Sequence, residues 1–203
     1  MRIYFIKSFN YCCHMFIVKK KYFLIIENTK DLNLKNIKIN KKIIIIYRNK
    51  NKSEEIEELI RFRRHCKIKR FRFYVANDLK LAADIKADGL YLSSHNRSFR
   101  ALHLKRSNFS IIGSAHNVRE IELKIKQRCK NILLSKLFKV EYKPNTPHFG
   151  LIKFNIFSKF FKQIIPLGGI NSSNFNNLKN LKSEGIAILS EIKKKPAIAS
   201  RLF

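Results

Sequence analysis

Short aliphatic runs recur along the chain, and most are followed by a stretch whose apolar residues return every three or four positions. The runs fall at 22–27, 43–47, 71–76, 88–94, 109–114 and 131–137, then one ending in Pro166-Leu167, then 185–190. Continuous apolar runs of this length suit strands buried on both faces, as in a parallel sheet. Between the last two, Phe175, Leu178 and Leu181 repeat every three residues and predict one buried helix face. A stronger helix signal starts at Ser53. Glu54, Glu55, Glu57 and Glu58 occupy its first turns and Arg61, Arg63, Arg64 and Lys67 its last, so both charge sets complement the helix dipole. Ile56, Leu59, Ile60 and Arg63 share one face of it.

Further helices are predicted at 79–87, from Asn117 onward, at 150–162 and at 193–203. Asn117 with Glu120 reads as a capping box, and Val118, Ile121 and Ile125 as the buried face behind it. The stretch 28–42 is polar and short for a strand–helix crossover, which predicts a reduced or missing first helix. Strand and helix alternate throughout. The class is therefore α/β, with a (β/α)8 TIM barrel as the architecture and a shortened first helix. Residues 21–203 form its single domain and 1–20 an N-terminal extension.

Composition changes this picture little. The 203 residues suffice for one such barrel. Lys+Arg is 43 against Asp+Glu 14, a net charge of +29 that points toward anionic partners. The excess is spread along the chain and is not gathered in one stripe. It accompanies many Asn, Ile and Phe, whose codons, like those of Lys, are AT-rich. No specific nucleic-acid site follows from it. Cys12, Cys13, Cys66 and Cys129 form no C-x-x-C pair, which fits a reducing cytoplasm better than a zinc or disulfide framework. The N-terminal apolar run is broken by Lys7, Ser8, Asn10 and His14, and no stretch approaches the roughly 20 apolar residues a bilayer span needs, so no membrane role is expected.

Function in such barrels sits at the C-terminal ends of the strands. Those ends carry Arg48 and Lys50, Asn77 and Asp78, Ser94 and Asn96, Ser114 and His116, Lys136 and Lys143, Gly168 and Gly169, and Ser190. Cations, amides and hydroxyls dominate, a set suited to a phosphate or pyrophosphate and poor for two-carboxylate hydrolysis. These groups are expected to share one mouth.

In order along the chain, Arg48-Asn49-Lys50, Asn77-Asp78, Ser114-Ala115-His116, Gly168-Gly169-Ile170-Asn171 and Glu184 to Ser190 resemble the thiamine phosphate synthase / thiazole tautomerase family. The resemblance runs from about Tyr22 to the C-terminus. It implies coupling of a pyrimidine pyrophosphate to a thiazole phosphate, with those two small molecules as partners and magnesium as cofactor. By resemblance Arg48, Lys50, Ser114 and Lys143 grip pyrophosphate, Asn77 contacts substrate, and Gly168, Gly169, Leu189 and Ser190 cradle the thiazole phosphate. Asp78 and Asn96 stand at the metal positions, and His116 at the proton-transferring histidine of the tautomerases. The chain departs from the pattern where glutamine becomes Ile46, a metal carboxylate becomes Asn96, and two threonines become Val140 and Tyr142. These losses imply a divergent, slower synthase. The alternatives are a thiazole tautomerase-like protein, a phosphate binder without catalysis, and an RNA- or membrane-surface binder. For single residues, Asp78 also reads as a helix N-cap, His116 as a helix-start residue and the glycines as a tight turn. Homo-oligomerisation is left open.

Overall fold

A computed structural model describes residues 20–37, 42–49, 54–103, 108–140, 145–171 and 173–189. Lys50, Ser53, Lys143, Ser190 and the helix predicted at 193–203 lie outside them, as do residues 1–19 of the expected extension. Eight parallel strands close into a barrel in sequence order. They are β1 (Lys21–Ile26), β2 (Ile43–Tyr47), β3 (Arg72–Ala76), β4 (Gly89–Leu92), β5 (Ser110–Ala115), β6 (Asn131–Ser135), β7 (Ile164–Leu167) and β8 (Gly185–Ile188). Among the described residues the α-helices are α1 (Ile56–Ile68), α2 (Leu79–Asp84), α3 (Val118–Lys126) and α4 (Gly150–Phe160). The (β/α)8 architecture expected from the alternation is the one found. Among the described residues, no helix is long and apolar enough to cross a membrane.

Strand alternation divides the core in two. Phe23, Ile25, Ile44, Ile46, Tyr74, Tyr91, Ile112, Leu133, Ile165, Leu167 and Ala187 fill the barrel interior. Their neighbours, such as Leu24, Ile45, Phe73 and Leu134, face the helices in a larger outer core. Both faces being apolar is why the strands read as unbroken runs. Ile46 is an interior residue, so its side chain fills the barrel where a glutamine would need polar partners.

The first crossover is indeed reduced. Thr29–Asp31 and Leu34–Asn36 are single 3-10 turns, the first held by an Asn28/Asp31 capping box. Three expectations need correction. Phe175–Asn180 is a 3-10 segment and no α-helix; a repeat of three is the eclipsing period of that tighter helix. On α1 the inward residues are Leu59, Phe62 and Cys66, while Ile56 is exposed. On α3, Ile121 is buried but Val118 and Ile125 are largely exposed, and Lys124 is fully buried instead. Its Nζ donates to the Asn96 carbonyl at 2.7 Å and Gln127 Oε1 at 2.9 Å, while Gln127 Nε2 donates to the carbonyls of Asn96 and Ser98. The helix therefore turns two polar side chains inward to satisfy the loop after β4. Burial lowers the Lys124 pKa.

Cys66, fully buried on α1, has its thiol pushed by burial from 9.0 up to about 12. A raised folded-state pKa contributes stability below pH 9 that is lost as pH climbs from 9 toward 12. At pH 10 the loss is about 1.4 kcal/mol. Urea unfolding at pH 8 and pH 10 is expected to show wild type falling by about that much more than Cys66→Ala. Equal slopes would show the thiol does not control the alkaline limb.

Candidate functional site

At the C-terminal ends of β2, β5, β6, β7 and β8 lies a cavity of about 120 Å³. Arg48, His116, Ser135, Lys136, Val140, Gly168, Gly169 and Leu189 line it, with Leu167, Ile170, Ala187 and Ile188 behind. No carboxylate lines it among the described residues. The space exceeds by several-fold the roughly 10–15 Å³ one water needs, so a phosphoryl group fits.

Arg48 follows β2 and hangs from it by its N–H, which donates to the Ile26 carbonyl at 2.8 Å. One guanidinium nitrogen reaches Glu27 Oε1 at 3.8 Å, a loose pair open to solvent. Its Nε is buried and finds no partner among the described residues. A buried charged donor left unmet is costly, and its position in a cavity whose described lining holds no carboxylate leaves it available to an incoming anion. Tyr91 is almost wholly buried, and burial raises its pKa against the opposing pull of Ser114 and Arg48 on its hydroxyl. Ser114 therefore belongs to the site through Tyr91, a residue not singled out as chemical in the sequence. Its partners come from β2 and β5, and that long-range meeting leaves no local signal.

His116 closes β5 and opens α3. Its N–H donates to Glu120 Oε2 at 2.7 Å, while Asn117 Oδ1 accepts the Glu120 N–H at 2.9 Å. The expected capping box is thus present with its return arm on His116. The imidazole Nδ1 sits 2.8 Å from Ser135 Oγ and 3.2 Å from the Ser135 carbonyl. A carbonyl only accepts, so this pair of oxygens favours a proton on Nδ1 and leaves Nε2 as the free acceptor.

Gly168 and Gly169 have φ of +95° and +69°. A Cβ on Gly169 would stand 2.6 Å from the carbonyl oxygens of both Phe138 and Lys139. The loop after β6 lies directly across this turn, so close packing, besides any bound anion, explains glycine here.

The other expected site residues lie apart from this cavity. Asp78 N-caps α2, its Oδ1 accepting the Leu81 N–H at 2.9 Å. It lines a neighbouring cavity of about 300 Å³ with Tyr47, Asn49 and Glu54, so Arg48 and Gly169 share a cavity that Asp78 does not line. Asn77, at φ +56°, accepts from the Ser93 N–H and from Asn96 Nδ2, both at 3.0 Å. Asn96 Oδ1 in turn accepts the Ser98 N–H at 2.9 Å. This donor set does not fit magnesium well: one carboxylate is engaged in capping, and one neutral amide has its oxygen engaged. No cluster of three or more His, Cys, Asp or Glu able to hold a metal occurs among the described residues.

Fold and mouth together define the class: a (β/α)8 barrel whose strand ends enclose a cationic cavity with no carboxylate among the described lining residues. Within it the chain belongs to the thiamine monophosphate synthase family, whose model matches residues 15–192. The match begins inside the stretch expected to be an unmatched extension. A thiamine-phosphate synthase of Prochlorococcus marinus subsp. pastoris is 29% identical over 146 residues, covering 71% of this chain and 42% of the relative. A second, from another strain of Prochlorococcus marinus, is 27% identical over 132 residues, covering 63% and 37%. The matched part of the chain thus spans well under half the length of these relatives. Among solved structures, thiamine phosphate pyrophosphorylase from Pyrococcus furiosus superposes with a TM-score of 0.67 at 17% identity, covering 91% of this chain and 93% of that one. KGPDC from Streptococcus mutans gives 0.63 at 9% identity, covering 91% and 95%. At these identities the likeness is one of fold.

Proposed function

We propose that this chain couples a pyrimidine pyrophosphate to a thiazole phosphate, releasing pyrophosphate. The observation that carries the reading is the Arg48 cavity: a buried guanidinium Nε without a partner among the described residues, beside Lys136, His116 and a glycine turn, with no carboxylate in the described lining. Family membership supplies the reaction class. In it the pyrimidine carbon–oxygen bond breaks with its electron pair leaving on pyrophosphate, and the thiazole nitrogen lone pair forms the new carbon–nitrogen bond. What this asks of the protein is stabilisation of charge growing on the departing oxygens and close placement of two rings. Arg48 meets that charge, hung from the end of β1 by its backbone bond to Ile26. Lys50 and Lys143 join it by resemblance, and Gly168, Gly169, Leu189 and Ser190 take the thiazole phosphate. Asn77 and Asn96, tied to each other, stand apart from this cavity and contact substrate only by resemblance. No step is routed through magnesium, because Asp78 and Asn96 offer it a poor donor set.

The test supplies purified protein with both phosphorylated substrates and is run with and without magnesium. Thiamine phosphate and pyrophosphate are expected in equal amounts. No product alongside tight binding of thiazole phosphate would sink the coupling reading. A second reading rests on His116 and Ser135: with Nδ1 engaged, Nε2 is placed as a base for thiazole tautomerisation. Proton exchange on the thiazole ring that His116→Gln abolishes would favour it.

A further inference from the structure

The loop leaving β6 brings one more cation to the mouth, and the reading above gives it no task. We propose that Lys136 recognises the phosphate monoester at the Gly168–Gly169 turn, a role that rests on that turn being the phosphate end of the site. Backbone bonds pin Lys136 there. Its carbonyl accepts the Phe149 N–H at 2.9 Å, the Leu137 N–H donates to the Leu167 carbonyl at 2.9 Å, and the Phe138 N–H to the Gly168 carbonyl at 3.1 Å. Its Cα and Cβ lie so near Gly168 that a Cβ there would stand 3.3 Å from both. The side chain lines the same cavity as the turn.

Among the described residues the ammonium is held but not neutralised. Thr146 Oγ1 accepts one Nζ proton and steadies the stem. An ammonium has three donors, so two remain, with the whole positive charge. Arg48 shares its charge with Glu27, whereas no salt bridge is found for Lys136 among the described residues. Backbone N–H groups alone bind an oxyanion whatever its charge. A fixed ammonium beside them adds preference for the dianionic monoester over its alcohol. Its place at a strand end marks Lys136 as one of several candidate anion-binding cations, but it belongs to no spaced motif that would assign it this phosphate.

Calorimetry decides it, with hydroxyethylthiazole phosphate and the unphosphorylated alcohol as probes on the same chain at low salt. Lys136→Met is expected to weaken phosphate binding about tenfold or more, the size of one lost charge-assisted bond. Alcohol binding should stay unchanged, and Lys136→Arg should retain most of the phosphate affinity. Unchanged phosphate affinity in Lys136→Met, equal losses for both probes, or no phosphate binding by wild type would each overturn the assignment. The selective loss in a chain that never couples substrates would leave Lys136 standing and remove the synthase reading. Coupling with no such loss would do the reverse.

Discussion

Arg48→Met is expected to lower kcat/KM for coupling by about 100- to 1,000-fold, the usual scale for deleting one electrostatic stabiliser of developing negative charge. It is also expected to leave the fold as stable as wild type, or more stable by about 1 kcal/mol. The second half follows from the first cavity's chemistry. Nε of Arg48 is buried and unmet, a debt of about 1–3 kcal/mol for a donor taken from water without a partner. Its contact with Glu27, at 3.8 Å and partly in solvent, offsets little. Methionine keeps the stem packing and removes the unmet donor. Activity and stability should therefore move in opposite directions, the signature of a residue kept for its ligand. Arg48→Lys should recover charge but not the planar fork, and so only part of the rate. Urea melts run beside the coupling assay check both halves. If Arg48→Met loses more than about 1 kcal/mol of stability, the arginine is chiefly a prop for Tyr91 and the barrel rim.

How far this could be read from the residues alone depends on the range of the forces involved. The strands declare themselves because burial on both faces leaves no polar alternation to confuse them, as in Ile43–Tyr47. Asp78 and Asn117 are legible as caps because a cap is a contact within three residues. The inward face of α3 is not legible locally because Lys124 and Gln127 answer to carbonyls of the loop after β4, some thirty residues earlier. An apolar-inward rule gives Val118 and Ile125 the places that those amides and amines occupy. Similarly, Tyr91 feels Arg48 and Ser114 from other strands, and the His116–Ser135 contact joins two. Order of motifs points to the family, and strand ends to Arg48, His116, Gly168, Gly169 and Leu189 of the cavity lining. It could not separate the cavity of Arg48 and Gly169 from the one lined by Asp78, since strand ends are adjacent in every barrel and only side-chain direction divides them.

Gly169→Ala is expected to cost about 3 kcal/mol, roughly 6–12 °C in Tm for a chain of this size. Two effects add. Alanine at φ +69° meets the left-handed penalty of about 1–2 kcal/mol. Its Cβ would also stand 2.6 Å from two carbonyl oxygens, which must move, at about 1–3 kcal/mol more. Gly150 separates the two effects within the same molecule. It has the same φ of +69°, but a Cβ there meets nothing within 4 Å. Gly150→Ala should therefore show only the backbone penalty, and the difference between the variants reads the contact between the β6 loop and the β7 turn. Because that contact also sets where Lys136 sits, Gly169→Ala should weaken thiazole phosphate binding while Gly150→Ala leaves it alone. Equal melting losses in the two variants would mean the loop yields freely, and the mouth would then owe its shape to something other than this packing.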